Sequence, residues 1–196
     1  MSLFAAKPAR RRLARPITGH AERHADWNAL MANAPEALNP ALAARFRTRG
    51  RTARVEAIQG DVVHVALSLA SATAAVPTTN FARTPDGAVG LRRATPAETA
   101  EWYRQYIASQ ILLVAEECLG AGPMLAGVSV VASYDDQPLV AACLTRASLD
   151  RADWGSHPWD ALTDADHGVR FGLSGPGREL RPIEVSHAGV AVTTTS

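Results

Sequence analysis

A chain of 196 residues is long enough for one domain with a full core and leaves room for a tail. Hydrophobic residues at 47%, charged residues at 20% and a net charge of +1 exclude a disordered chain and give no global reason for a polyanion partner. Two cysteines are too few for a disulfide framework, no apolar run approaches the ~20 residues of a membrane span, and the basic N-terminus has no apolar segment after it, so the chain is expected in the cytoplasm, off the membrane.

Residues 1–20 carry Lys7, Arg10, Arg11, Arg12 and Arg15 with Pro8 and Pro16 and no apolar periodicity, the composition of a flexible basic arm. From Glu22 to Arg49 the spacing predicts a short helical pair. Trp27, Leu30 and Met31 share the first helix face, Asn33 and Pro35 interrupt, and Leu38, Leu42 and Phe46 line the second. Arg54 to Ser71 reads as two strands joined at Gln59, Gly60 and Asp61. In the second strand Val63, Val65, Leu67 and Leu69 alternate with Val62, His64, Ala66 and Ser68, which sets a core face against a half-polar one. Pro77 closes that strand, Thr78 to Gly90 is a loop with a tight turn at Asp86 and Gly87, and Ala88 to Arg92 offers a short strand.

Thr95 to Gly120 is the clearest helix. Thr95 suits the N-cap, Pro96 the first turn, and Glu98 stands where it closes a capping box. Tyr103, Ile107, Ile111, Val114 and Cys118 form one apolar stripe, with Glu116 and Glu117 expected on the solvated side. Gly120 is expected to stop the helix in the left-handed conformation, before Gly122 and Pro123. Leu125 to Tyr134 and Leu139 to Thr145 then read as a hairpin around Asp135, Asp136, Gln137 and Pro138. Arg146 to Trp154 reads as one or two helical turns, His157 to His167 as a loop anchored by Trp159 and Leu162, and Gly168 to Gly177 as too glycine-rich for a regular element. Arg178 to Val185 is a final edge strand, and residues 189–196 fray. Together these predict an α+β fold: a single domain over residues 21–188, with an antiparallel sheet of four to six strands covered by one long helix, and a short N-terminal helical pair.

Two side-chain groups invite chemistry. His157, Asp160, Asp164 and His167 bring imidazoles and carboxylates close enough in sequence to hold a divalent ion, although aspartates are also common loop formers. Arg45, Arg47, Arg49 and Arg51, with Arg10, Arg11, Arg12 and Arg15 of the arm, concentrate positive charge; with no aromatic residue among the arm's arginines they predict weak, salt-sensitive contact with phosphates and no sequence preference. Lys7 is the only lysine, so no acidic pair is followed by the strand lysine of a metal-dependent nuclease. A phosphate-binding glycine loop, a nucleophilic serine on a strand-to-helix turn and metal-spaced cysteines are also missing, and no cofactor is expected.

The order of elements from about Arg54 to Val185 resembles an uncharacterised domain found downstream of the nuclease domain in actinobacterial restriction-endonuclease-like proteins. The likeness is carried by the strand ending at Val76 and Pro77, the helix with Tyr103 and Ile107, the hairpin ending at Tyr134, and the run Leu139 to Asp153 through Thr145, Arg146 and Leu149. Ala132 and Ser133 depart from the more polar approach to that hairpin turn, and the nuclease domain is not among these residues. The resemblance implies an accessory or assembly module of a DNA-associated or phage-defence system. The expected activity is therefore non-enzymatic interaction with another protein or with itself. The rivals are a metal-dependent enzyme built on the His157 to His167 cluster and non-specific nucleic-acid binding through the basic arm.

Overall fold

A computed structural model describes residues 18–166 and 168–185 of the chain. Residues 1–17 of the expected basic arm and the fraying of residues 189–196 lie outside the described residues, while residues 18–20, expected in the arm, already belong to a helix. The helical pair is present as α1 (Thr18–Met31) and α2 (Pro35–Thr48). Leu38, Leu42 and Phe46 of α2 are buried as their spacing requires, whereas Trp27 and Met31 of α1 stay exposed.

The fold is α+β. Six strands form the main sheet: β1 (Ala53–Gln59), β2 (Val62–Ser68), β5 (Gly127–Tyr134), β6 (Gln137–Thr145), β7 (Arg170–Ser174) and β8 (Glu179–Arg181), side by side in that order. A one-turn helix, α3 (Ala72–Ala75), a separate hairpin of β3 (Thr79–Arg83) and β4 (Val89–Arg93), and the long helix α4 (Pro96–Ala121) connect β2 to β5. After β6 come α5 (Arg146–Arg151) and α6 (Pro158–Ala165).

The sheet is mixed where an antiparallel one was expected, because β2 and β5 run parallel from Val62 beside Gly127 to Ser68 beside Ser133. A hairpin turn can only join antiparallel neighbours. Here α4 carries the chain back along the sheet before β5 begins, which is the crossover a parallel pair needs. The alternation in β2 does set one core face. Val63, Val65 and Leu67 align with Val128, Val130 and Ala132 of β5, which align with Leu144, Ala142 and Val140 of β6, and all are buried. Leu38, Leu42 and Phe46 of α2, the α4 stripe and Ala161 and Leu162 of α6 close over that face in a single cluster.

Helix α4 runs unbroken for 26 residues, with Thr95 and Glu98 in a reciprocal capping box. Its end differs from expectation. Gly120 remains helical, and Gly122 caps the helix in an extended conformation (φ −108°), its N–H donating to the Cys118 carbonyl at 2.9 Å. Glu117 is the second departure, for it is buried and faces Arg51, because α2 and the α2–β1 connection cover that side of α4.

Three segments expected to be irregular are ordered. Thr79 to Arg83 forms β3, Pro158 opens α6 at its first turn, where its fixed φ and missing N–H cost nothing, and Arg170 to Ser174 forms β7 despite its glycines. Tertiary contacts hold α6: the Trp159 N–H donates to Gln105 of α4 at 2.9 Å, and the Trp159 and Phe171 rings meet edge to face at 4.9 Å. The β5–β6 turn places both Asp135 and Asp136 at positive φ, 51° and 58°. That two-residue geometry favours glycine, so Asp136→Gly is expected to raise stability by about 0.5–1 kcal/mol in denaturant titration.

Candidate functional site

Three of the four residues singled out for metal binding lie on or at the start of one helix. His157 is the N-cap of α6, Asp160 lies in its first turn and Asp164 one turn later, all exposed; His167 lies outside the described residues. Among the described residues no group of three His, Cys, Asp or Glu is arranged to hold a metal ion. The neighbouring Asp166 has a structural task. Its carboxylate accepts the Cys143 N–H at 2.6 Å and the Gly168 N–H at 2.8 Å, supplying the edge of β6 with an acceptor beyond its two-residue pairing with β7.

The basic patch is divided. Arg45 and Arg47 occupy the last turn of α2 and Arg49 caps it, all exposed, where cations complement the helix dipole. Arg51 does not join them. Its Nη1 donates to Gln110 Oε1 at 2.8 Å and its Nε stands 3.4 Å from Glu117 Oε1, so its charge serves the α4 interface. Arg10, Arg11, Arg12 and Arg15 lie outside the described residues.

Sequence reasoning missed the most exposed apolar surface, which belongs to the β3–β4 hairpin. Register pairs Phe81 with Leu91, Arg83 with Val89 and Thr79 with Arg93, so these six side chains share one face. Phe81, Val89 and Leu91 are 72%, 66% and 69% exposed. Two strands alone are marginal in water. This pair is fastened at its base by Glu98, whose carboxylate takes a two-pronged contact from Arg92 (2.5 and 2.7 Å), the Asn80 amide (2.8 Å) and the Thr95 N–H (2.9 Å). Arg92 first, then the Thr95 amide and Asn80, hold that carboxyl well below the usual carboxylate range. At the tip Gly87 takes φ +85° and the Thr84 hydroxyl donates to the Ala88 carbonyl at 2.9 Å. The available signal was an aromatic and two aliphatics flanking the Asp86–Gly87 turn; without a core to point to, they did not read as a strand pair.

The second surface is the outer face of the main sheet. His64, Ser129 and Cys143 align across β2, β5 and β6, flanked by Val62, Ala66, Val131 and Ala141. Among the described residues Val62, Ala66, Val131 and Ala141 neither belong to the core cluster nor pack against it, yet Ala141 and Ser129 are only 2% and 3% exposed. A histidine, a hydroxyl and a thiol in one row invite comparison with nucleophilic catalysis, but the chemistry is poorly arranged. No hydrogen bond joins them among the described residues, and burial, then Asp166, push the Cys143 thiol up, away from the thiolate a nucleophile requires.

A groove of about 490 Å³ lies where α4 ends against α5, lined by Glu116, Leu119, Arg146, Leu149, Asp150 and Trp154. Arg146 is occupied there: Nη2 is 2.9 Å from the Leu119 carbonyl oxygen and 3.3–3.4 Å from those of Gly122, Pro123 and Leu125, so the guanidinium stabilises the end of α4. Among the described residues no helix is long and apolar enough to cross a membrane. No protein-family model, curated protein or solved structure matches the chain.

Proposed function

We propose that this chain is a non-enzymatic protein-interaction or assembly module working in the cytoplasm, accessory to a DNA-associated or phage-defence system as the resemblance implies, with the β3–β4 hairpin as its docking finger. The observation that supports this reading is the exposure of Phe81, Val89 and Leu91 together on one face of a ladder that belongs to no core. A contiguous apolar patch in water is costly and marks a surface that a partner covers. Aliphatic side chains gain little against phosphates, so the finger suits a protein better than a nucleic acid. Arg83 and Arg93 share the face and form no salt bridge among the described residues, which favours a partner that brings apolar side chains and acidic ones.

The test compares the wild type with a Phe81→Ser, Leu91→Ser variant, each tagged and recovered from cells that express the natural gene. Because both residues are exposed, the variant is expected to melt within about 2 °C of the wild type. It should lose a stoichiometric protein partner that the wild type retains, and the purified pair should bind at least about tenfold more weakly. Two results would overturn the proposal: recovery of the same partners by both forms, or one equivalent of zinc or manganese bound by protein purified without chelator and lost in Asp164→Ala, His167→Ala. Salt-sensitive duplex binding unaffected by the finger variant would instead support the arginine-based reading.

A further inference from the structure

We propose that the β3–β4 hairpin binds by strand addition: an extended segment of another protein, with one acidic side chain followed by alternate apolar ones, pairs antiparallel with the open edge of β4. This mode of binding rests on the reading of the hairpin as a docking finger, and it adds which edge and which backbone groups receive the partner.

The ladder itself fixes which backbone groups are free. At its two ends the Thr84 N–H donates to the Ala88 carbonyl at 2.8 Å and the Ala94 N–H donates to the Thr78 carbonyl at 2.9 Å. Bonded and non-bonded pairs alternate in an antiparallel ladder, so by register Ala82 with Gly90 and Asn80 with Arg92 are the bonded pairs in between. Thr79, Phe81 and Arg83 on β3, and Val89, Leu91 and Arg93 on β4, therefore turn their N–H and C=O groups outward. The two edges differ. On β3 the central donor is taken, because the Phe81 N–H donates to Asn80 Oδ1 at 2.8 Å. On β4 the N–H and C=O groups of Val89 and Leu91 meet no hydrogen-bond partner among the described residues, and the Arg93 carbonyl accepts from Arg92 Nη1 at 3.0 Å. A row of unpaired backbone groups on an exposed edge is a template for a further strand. A third strand also steadies a ladder that is marginal with two.

Charge chooses the occupant. Neither β3 nor β4 contains an aspartate or a glutamate, and Arg92 is already paired with Glu98 of α4. A second copy paired edge to edge about a two-fold would set Arg83 and Arg93 of both chains on one face, with no carboxylate in any of its strands. Like charges so placed repel, whereas a partner that brings its own carboxylate is attracted. Running antiparallel to β4, that partner sets one residue opposite Arg93, the next but one opposite Leu91 and the next but one again opposite Val89. These three side chains fall on the face that carries Phe81, Leu91 and Val89. The segment is therefore acidic at its first position and apolar at its third and fifth.

The test is fluorescence anisotropy of the full chain with a labelled six-residue peptide carrying glutamate first, valine third and fifth, and threonine elsewhere. Saturable binding with a Kd at or below about 100 µM is expected. The odd positions turn their amides towards β4, so N-methylation of both valines should weaken binding at least about tenfold. N-methylation at the second and fourth positions, which face away, should change it less than about twofold. Lysine in place of the glutamate should weaken it about threefold or more. Val89→Pro removes an outward donor of β4 and leaves the ladder to β3 intact, and should bind at least about tenfold more weakly; Thr79→Pro, the matching change on the β3 edge, should bind as the wild type does. No binding up to about 1 mM, equal effects of the two N-methylated sets, or unchanged binding by Val89→Pro each overturns strand addition. A peptide indifferent to N-methylation but lost in Phe81→Ser, Leu91→Ser removes strand addition alone and leaves the docking finger standing. A wild-type dimer at about 100 µM in sedimentation equilibrium, dispersed by Val89→Pro, would give the edge to a second copy and overturn the proposed partner. Should Val89→Pro fold poorly, the N-methylated peptides on the wild type decide alone.

Discussion

Ile111→Asp is expected to abolish the cooperative unfolding of the domain. Ile111 lies in the middle of the α4 stripe with no solvent exposure, between Ile107 and Val114, which are equally buried. The side chain belongs to the cluster formed with the inner face of β2, β5 and β6. An aspartate there loses the apolar burial, about 2–3 kcal/mol by area, and must also hide a carboxyl group inside an apolar cluster. The combined cost of at least about 5 kcal/mol reaches the lower end of a small domain's whole stability. The check is a denaturant titration followed by circular dichroism. Loss of the sigmoidal transition is the expected outcome, and a folded variant with a midpoint near the wild type would show that α4 does not seal the sheet.

The second large effect separates two glycines that stand two residues apart. At Gly122 an added Cβ would lie 2.5 Å from Leu125 Cδ1 and 2.7 Å from its Cγ, with Leu38 Cδ1 at 3.3 Å. Leu125 and Leu38 are buried in the core, so neither side chain can swing into solvent, and Gly122→Ala is expected to cost about 2–3 kcal/mol by overpacking. At Gly120 the added Cβ would meet only the guanidinium end of the exposed Arg45, at 3.2 Å. That end is flexible, and alanine is the better helix former, so Gly120→Ala is expected to gain up to about 1 kcal/mol. Thermal melts of the two variants should therefore shift in opposite directions. Equal shifts would contradict the observed helix end.

Prediction from residue spacing therefore fails at that helix end and succeeds at its start, for one physical reason. A capping box is local: Thr95, Pro96 and Glu98 satisfy the first turn with their own atoms, and any chain carrying them in that order can do so. The last turn of α4 is satisfied from a distance. Arg146, which follows β6, reaches its carbonyls, and Leu125 leaves no room for a Cβ at position 122. Glu117 reads as solvated from its place beside the stripe, yet it meets Arg51 because α2 packs over that side.

The amino-acid sequence by itself determined the α+β class, the helical pair, the span and stripe of α4, the β1–β2 and β5–β6 hairpins and the inner face of β2, since each is written in periodicity, caps or turn residues within a short stretch. Tertiary structure alone decided the parallel seam between β2 and β5 and the regular structure of β7 and α6. It also decided where apolar side chains are left uncovered. Phe81 reads as part of a loop and Val89 and Leu91 as part of a short strand, and nothing in their spacing says that all three stay exposed. Burial is a relation between segments distant along the chain, so only the assembled layers show which apolar faces the fold uses for itself and which it leaves exposed.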